Sequence, residues 1–193
     1  HDLFSELYDK AGSVEVIRFL TEDPRNPNSI VSCISQAREN ARTVRDQLSD
    51  ELWEEINSLY LFACSEEARR LVSADPPRFY QRVRRAAETF LGIASSTIPR
   101  SEAWDFMELG RHLERADKTT RFLDVASYLP EDASGGGIPL AADVIHWSAI
   151  LRSCGAHGAY RSLKRGIDAR GVVDFLVYSD VFPRSVRHCV GRI

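Results

Sequence analysis

Apolar residues recur at steps of three and four along most of the chain, the period of amphipathic helices. Ile30, Cys33, Ala37, Ala41, Val44 and Leu48 make one stripe, with Asn28 or Ser29 placed to cap its start and Pro24 and Pro27 just before it. Ser49 can cap the next helix, whose stripe is Leu52, Ile56, Leu59 and Ala63, widened by Trp53, Tyr60 and Cys64. Asp75 followed by Pro76 and Pro77 reads as a stop and a restart, because proline is tolerated in a first helical turn. Phe79, Val83, Ala86, Phe90 and Ile93 carry a third long helix to Pro99, and Ser101 opens a fourth. In that fourth helix Phe106, Leu109, Leu113, Ala116, Thr120 and Leu123 form a heptad-like seam, suited to packing between near-antiparallel helices. The glycine run in residues 129–139 ends it and reads as a mobile loop. Shorter helices follow at about 140–154, 156–164, 169–178 and from near Arg184. No run alternates as a strand would.

Two segments match without a gap. Residues 16–34 lie over 172–190 at an offset of 156, with six identities in nineteen positions: Val16/Val172, Phe19/Phe175, Leu20/Leu176, Pro27/Pro183, Ser29/Ser185 and Cys33/Cys189. Each copy reads as a short helix, a proline-bearing turn and the start of a long helix. The expected fold is an all-α, antiparallel helical bundle built from a duplicated unit of about 156 residues, one copy incomplete. Residues 1–193 are read as one helical domain. Within it, 1–48 is the tail of the first unit, 49–128 the long-helix bundle, 129–139 the loop, and 140–193 the second copy of the short-helix segment. A further copy of the helix that carries residues 110–124 is expected upstream of residue 1.

Composition narrows the function more than the fold. A formal net charge of −3 argues against nucleic acid as the default partner. The positive charge is carried by 22 arginines against 3 lysines, and arginine's planar fork suits carboxylates and phosphates. Nothing approaches the roughly 18 uninterrupted apolar residues of a membrane span. The four cysteines are widely spaced, which suits reduced, mostly buried thiols and a cytoplasmic setting. Cys33 and Cys189, at equivalent places in apolar stripes, are expected in the core.

Catalytic patterns are sparse. Cys154 and His157 have C-x-x-H spacing, but a structural zinc site needs a second ligand pair. A carboxylate di-iron bundle needs Glu-x-x-His on two helices, and Glu108 and His112 are four apart. No metal and no cofactor is therefore expected. Cys154, beside Gly155, is the least implausible nucleophile. Six arginines between Arg69 and Arg85 read as a solvated face or a docking surface for an acidic partner.

The informative stretch is 110–124. Met107, Gly110, Glu114, Asp117 and Arg121 share one row beside the apolar seam, and Trp104, Glu108, Arg111, Arg115, Lys118 and Phe122 share another. Glu114–Lys118 and Asp117–Arg121 are favourable i,i+4 pairs, each contributing a few tenths of a kcal/mol when exposed. A mid-helix glycine costs about 1 kcal/mol against alanine, so Gly110 implies close approach by another helix. Arg38, Arg42 and Arg45 form a row on the 28–48 helix that would supply partners to Glu114 and Arg115. The candidate binding residues are thus Glu114, Arg115, Arg111, Asp117, Arg121, Arg38, Arg42 and Arg45. A buried interhelical Glu–Arg network, an anion- or peptide-binding pocket and a solvated face are the three readings.

Residues 109–125, 26–57 and the terminal FPRSVRHCV (182–190) together resemble the bacterial alpha-E domain, named for its helices and its Glu-Arg motif, here Glu114 and Arg115. The resemblance covers most of the chain and implies tandem duplication. His112 departs from it, standing where tyrosine is common. The resemblance implies a scaffold or a substrate- or partner-binding component of a bacterial peptide synthesis or modification system. The partners it implies are ATP-grasp ligases, transglutaminase-like proteins or a peptide, with self-association open. The alternative is an enzyme using Glu114 as acid/base, with Arg111 and Arg115 orienting a carboxylate or phosphate.

Overall fold

A computed structural model describes residues 2–9, 12–127, 141–163 and 166–193, which are helical with no strand among them. They cluster as two compact units, 1–99 and 100–193. The glycine-rich stretch 129–139 lies outside the described residues.

The first unit holds α1 (Asp2–Leu7), α2 (Ser13–Thr21), α3 (Ile30–Thr43), a 3₁₀ turn (Arg45–Gln47), α4 (Asp50–Ala63), α5 (Glu66–Ala74) and α6 (Pro76–Thr97). Serine hydroxyls start three of these helices. Ser29, Ser49 and Ser65 accept from the backbone N–H three residues on, satisfying a donor that the first turn leaves unpaired. Asp75 does the same for α6 ahead of its two prolines. The sequence pattern named a stripe ending at Ala63 and Cys64 and no helix start between Ser49 and Asp75. In the structure α4 ends at that stripe and a further helix starts at Ser65, whose cap is followed by Glu66 and Glu67 in the first turn. Leu52, Ile56, Leu59 and Ala63 are buried as their spacing implied, and Leu59 and Ala63 share a core with Ile34, Phe62, Ala68, Val72 and Phe79.

The turn between α2 and α3 is held by buried polar groups. Asp23, 4% exposed, receives Arg25 through its backbone N–H, Nε and Nη2, and the Tyr8 hydroxyl at 2.6 Å. Asn26 donates to the carbonyl of Phe19. The Arg25 bonds, then the Tyr8 bond, hold the Asp23 carboxyl well below the usual carboxylate range. A carboxylate depressed on folding contributes stability above its unfolded pKa of about 4 and loses it as pH falls towards the folded value. Asp23→Asn should therefore flatten the acid limb of stability below about pH 4, read as the urea midpoint from pH 5 to pH 2. An unchanged limb would show that Asp23 is not the linked group.

The second unit holds α7 (Glu102–Ser127), α8 (Ala141–Ser153), α9 (His157–Leu163), α10 (Ala169–Tyr178) and α11 (Val186–Val190). Its core joins Ala126, Ile150, Leu151, Cys154, Tyr160, Val172, Phe175, Leu176 and Phe182. Gly155 ends α8 at φ +65°, a left-handed conformation that glycine adopts without strain, while the Ala156 N–H returns to the Leu151 carbonyl at 2.7 Å.

Three expectations are corrected. Phe106 and Leu113, placed in the α7 seam, are 65% and 52% exposed, while His112, Thr119 and Ala126 are the buried residues of that helix. The helix is turned by about one residue because α11 packs on its polar row. No atom lies within 4 Å of a Cβ built on Gly110, so no described neighbour makes the close approach inferred there. Cys33 and Cys64 are exposed; only Cys154 and Cys189 are buried.

Candidate functional site

The site forms where α11 and the loop before it pack on the middle of α7. Thr119, 2% exposed, pins the approach by donating its hydroxyl to the Arg184 carbonyl at 2.8 Å. Ser185 caps α11 through the His188 N–H and donates its own hydroxyl to the Ser179 carbonyl. Cys189, fully buried, turns its thiol to the Pro183 carbonyl at 3.6 Å.

Against this surface α7 presents Glu108, Arg111, His112 and Arg115 within two turns. Glu108 pairs through Oε2 with Arg111 Nη2. His112, 4% exposed, has its ring centroid 6.1 Å from that of His188. His112 Nε2 lies 3.6 Å from Glu108 Oε2, too long for a hydrogen bond. Burial first, and then the Arg111 charge, hold the His112 pKa below its ordinary value, so the ring is neutral at pH 7. His188 Nδ1 lies 2.8 Å from the Asp180 carbonyl, which only accepts, so Nδ1 carries the proton. Glu108 Oε1, Arg111 Nε and His112 Nδ1 are buried with no hydrogen-bond partner among the described residues.

Arg115 is the distinctive group. It is half-buried and makes no ion pair or hydrogen bond among the described residues. Its pKa is lowered, first by burial, then by the charges of Arg111 and Arg184; Cys189 and Glu108 act the other way, more weakly. Guanidinium stays protonated regardless. Arg111 and Arg184 therefore both crowd Arg115, Glu108 is already paired with Arg111, and the Arg115 charge is partly shielded from water. An unpaired cation there lacks both full hydration and a counter-ion, which an incoming anion would supply.

The other expected site residues lie elsewhere. Glu114 is exposed and, among the described residues, unpaired; the half-buried carboxylate of this helix is Glu108. Asp117 and Arg121 form the anticipated exposed i,i+4 pair at 2.8 Å, and Lys118 leans on Asp117 at 3.9 Å instead of Glu114. Arg38 and Arg42 of α3 and Arg45 of the 3₁₀ turn find partners inside the first unit. Arg38 bonds Asn57 and Glu39 and lies over Tyr60 at 4.7 Å and Trp53 at 5.5 Å. Arg42 pairs with Glu39, and Arg45 with Asp50. The arginines between Arg69 and Arg85 include exposed partners of Glu66, Glu67 and Glu88.

Sequence reasoning did not place Arg184, Thr119 or His188 in a site. The usable signal was Glu108 standing three and four residues before Arg111 and His112, an i,i+3/i+4 cluster on the row that packs inward. Burial raises the Cys154 thiol to about 11 and pushes Cys189 up as well, so both are protonated at neutral pH. Such a thiol is a poor nucleophile, which weighs against the role considered for Cys154. Among the described residues no group of three or more His, Cys, Asp and Glu side chains converges as a metal site. Nor is any helix among them long and apolar enough to cross a membrane.

An uncharacterized protein of Mycobacterium bovis and one of Mycobacterium tuberculosis are each 26% identical to the chain over 195 residues, covering 96% of it and 21% of the relative. The chain thus spans about a fifth of the length of these curated relatives. No solved structure matches. The Alpha-E family, described as a predicted alpha-helical domain with a conserved ER motif, matches residues 1–193. Glu114-Arg115 is the one Glu-Arg dipeptide in the sequence, and its arginine is the half-buried, uncompensated group at the α7–α11 seam. An all-helical chain, matched along its whole length and carrying that dipeptide on its longest helix, belongs to the Alpha-E family.

Proposed function

We propose that this chain is a helical binding module that takes up an anionic group, a carboxylate or phosphate, of a peptide or partner protein. The observation that carries the reading is Arg115: half-buried, without a counter-ion among the described residues, and pressed by Arg111 and Arg184. Its place in a bacterial peptide synthesis or modification system, beside ATP-grasp ligases and transglutaminase-like proteins, is supported by the family resemblance. A duplicated unit is supported by the 156-residue offset and by matching serine caps at Ser29 and Ser185. The enzymatic alternative, with Glu114 as acid/base, has less support. A carboxylate tuned for that work near neutral pH is ordinarily buried or crowded by like charge, and Glu114 is exposed.

Titration calorimetry with a short polyglutamate peptide tests the binding reading. Binding should weaken steeply with salt, and Arg115→Gln should reduce affinity by about tenfold or more, since charge-assisted hydrogen bonds contribute about 1.5–3 kcal/mol. The same substitution should leave the melting temperature unchanged or raise it, because it removes a repelled cation. Unaltered binding in Arg115→Gln, or a fall in melting temperature with no peptide affinity in the parent chain, would show Arg115 to be structural.

A further inference from the structure

Two parts of the chain have the same local structure and opposite surroundings. The α2–α3 turn and the α10–α11 turn share their capping contacts at the 156-residue offset, although the Ser29 hydroxyl donates to Ser32 Oγ and the Ser185 hydroxyl to the Ser179 carbonyl. Ser29 and Ser185 are both fully buried N-caps, with φ/ψ of −65°/153° and −67°/150°. Their N–H groups bond the carbonyls of Asn26 and Phe182 at 3.0 Å each. Their hydroxyls accept from Ser32 N–H at 3.2 Å and His188 N–H at 3.1 Å. One residue further on, the thiols of Cys33 and Cys189 face the carbonyls of Pro27 and Pro183 at 4.0 and 3.6 Å.

The surroundings diverge at the cysteines. Cys189 is fully buried and Cys33 is exposed. The cover over Cys189 is α7, which brings Arg111 and Arg115 near the thiol and bonds the Arg184 carbonyl through Thr119. Asn28 is the counterpart of Arg184, and its carbonyl receives no such bond among the described residues. From Cys33 onward α3 leaves Ala37, Asn40 and Val44 exposed on one side, at helical steps of four, three and four. Small side chains at Cys33 and Ala37 leave room for a helix axis to come close.

We infer that the N-terminal half of α3 is a vacant seat for a second helix of the α7 type. Its occupant carries the inward row of α7, His-x-x-Arg-x-x-x-Thr, as His112, Arg115 and Thr119 do. The threonine hydroxyl would bond the Asn28 carbonyl, and the helix would cover Cys33 as α7 covers Cys189. The inference rests on the likeness of the two turns and is independent of the anion reading.

Thiol alkylation of the whole chain tests it, with a synthetic peptide of residues 102–127 as the probe. Cys33 and Cys64 should both react in the chain alone, and Cys64 serves as the internal reference. Saturating peptide should slow Cys33 alkylation about tenfold and leave Cys64 unchanged. A peptide with Thr119→Val and Arg115→Ala should protect less. Three results would overturn the inference: Cys33 inert without peptide, Cys33 and Cys64 slowed alike, or Cys33 unaffected at peptide concentrations that saturate the chain.

Discussion

Replacing Phe79 with alanine should destabilise the first unit by about 3–5 kcal/mol, the range for removing a fully buried phenylalanine. Its side chain is 0% exposed, stacks on Phe62 with ring centroids 5.8 Å apart, and meets the edge of Tyr80 at 5.7 Å. Truncation leaves a cavity among side chains from α4, α5 and α6, and three packed helices close on such a void only in part. A natural domain is stable by about 5–15 kcal/mol, so the change would consume a large share of that margin. Phe106→Ala is the control. The helical period put both rings on interior stripes, but Phe106 is 65% exposed, and its loss should change stability by less than about 0.5 kcal/mol. Urea denaturation of the two variants measures both. A large effect at Phe106, or a small one at Phe79, would contradict this packing.

Gly171→Ala should also destabilise, against the usual helix preference for alanine. Gly171 sits in the first turn of α10, where a Cβ would lie 2.5 Å from the Tyr160 hydroxyl oxygen and 3.2 Å from an Asp168 carboxylate oxygen. Tyr160 is 1% exposed and edge-packed on Phe175, so it has little room to withdraw. Propensity favours alanine by about 1 kcal/mol, and overpacking costs about 1–3 kcal/mol, so a net loss is expected. Tyr160→Phe removes the atom in the way. In the double variant most of the loss should return, appearing in a double-mutant cycle as a coupling of about 1 kcal/mol or more. Simple additivity would show that the tyrosine yields and the crowding is not the cause.

Much of the secondary structure was legible because its causes lie within a few residues. A serine three positions before the N–H it caps, or a proline pair after an aspartate, acts through local geometry. Ser29, Asp75 and Ser185 accordingly mark helix starts in both sequence and structure. Ser65 carries the same kind of signal, directly after the stripe that ends at Ala63 and Cys64, and the sequence reading did not use it. The candidate site was half legible. Arg111 and Arg115 were picked out by their charge beside a seam, whereas Arg184 and His188 belong to a segment about 70 residues away and enter only through packing.

The two cysteines mark the boundary between the two sources of information. Cys33 and Cys189 each follow a capping serine by four residues and turn to a proline carbonyl six residues back, so the chain by itself determined their local structure alike. Whether each is buried depends on a helix distant in sequence. Likewise the charge pattern of 110–124 placed those residues on one helix, but which row faced inward was decided by α11, through Thr119 on the Arg184 carbonyl. Helical period and capping are written residue by residue. Burial of a face is a property of two surfaces meeting, and for α7 the tertiary structure put the polar row inside and left Arg115 there without a counter-ion among the described residues.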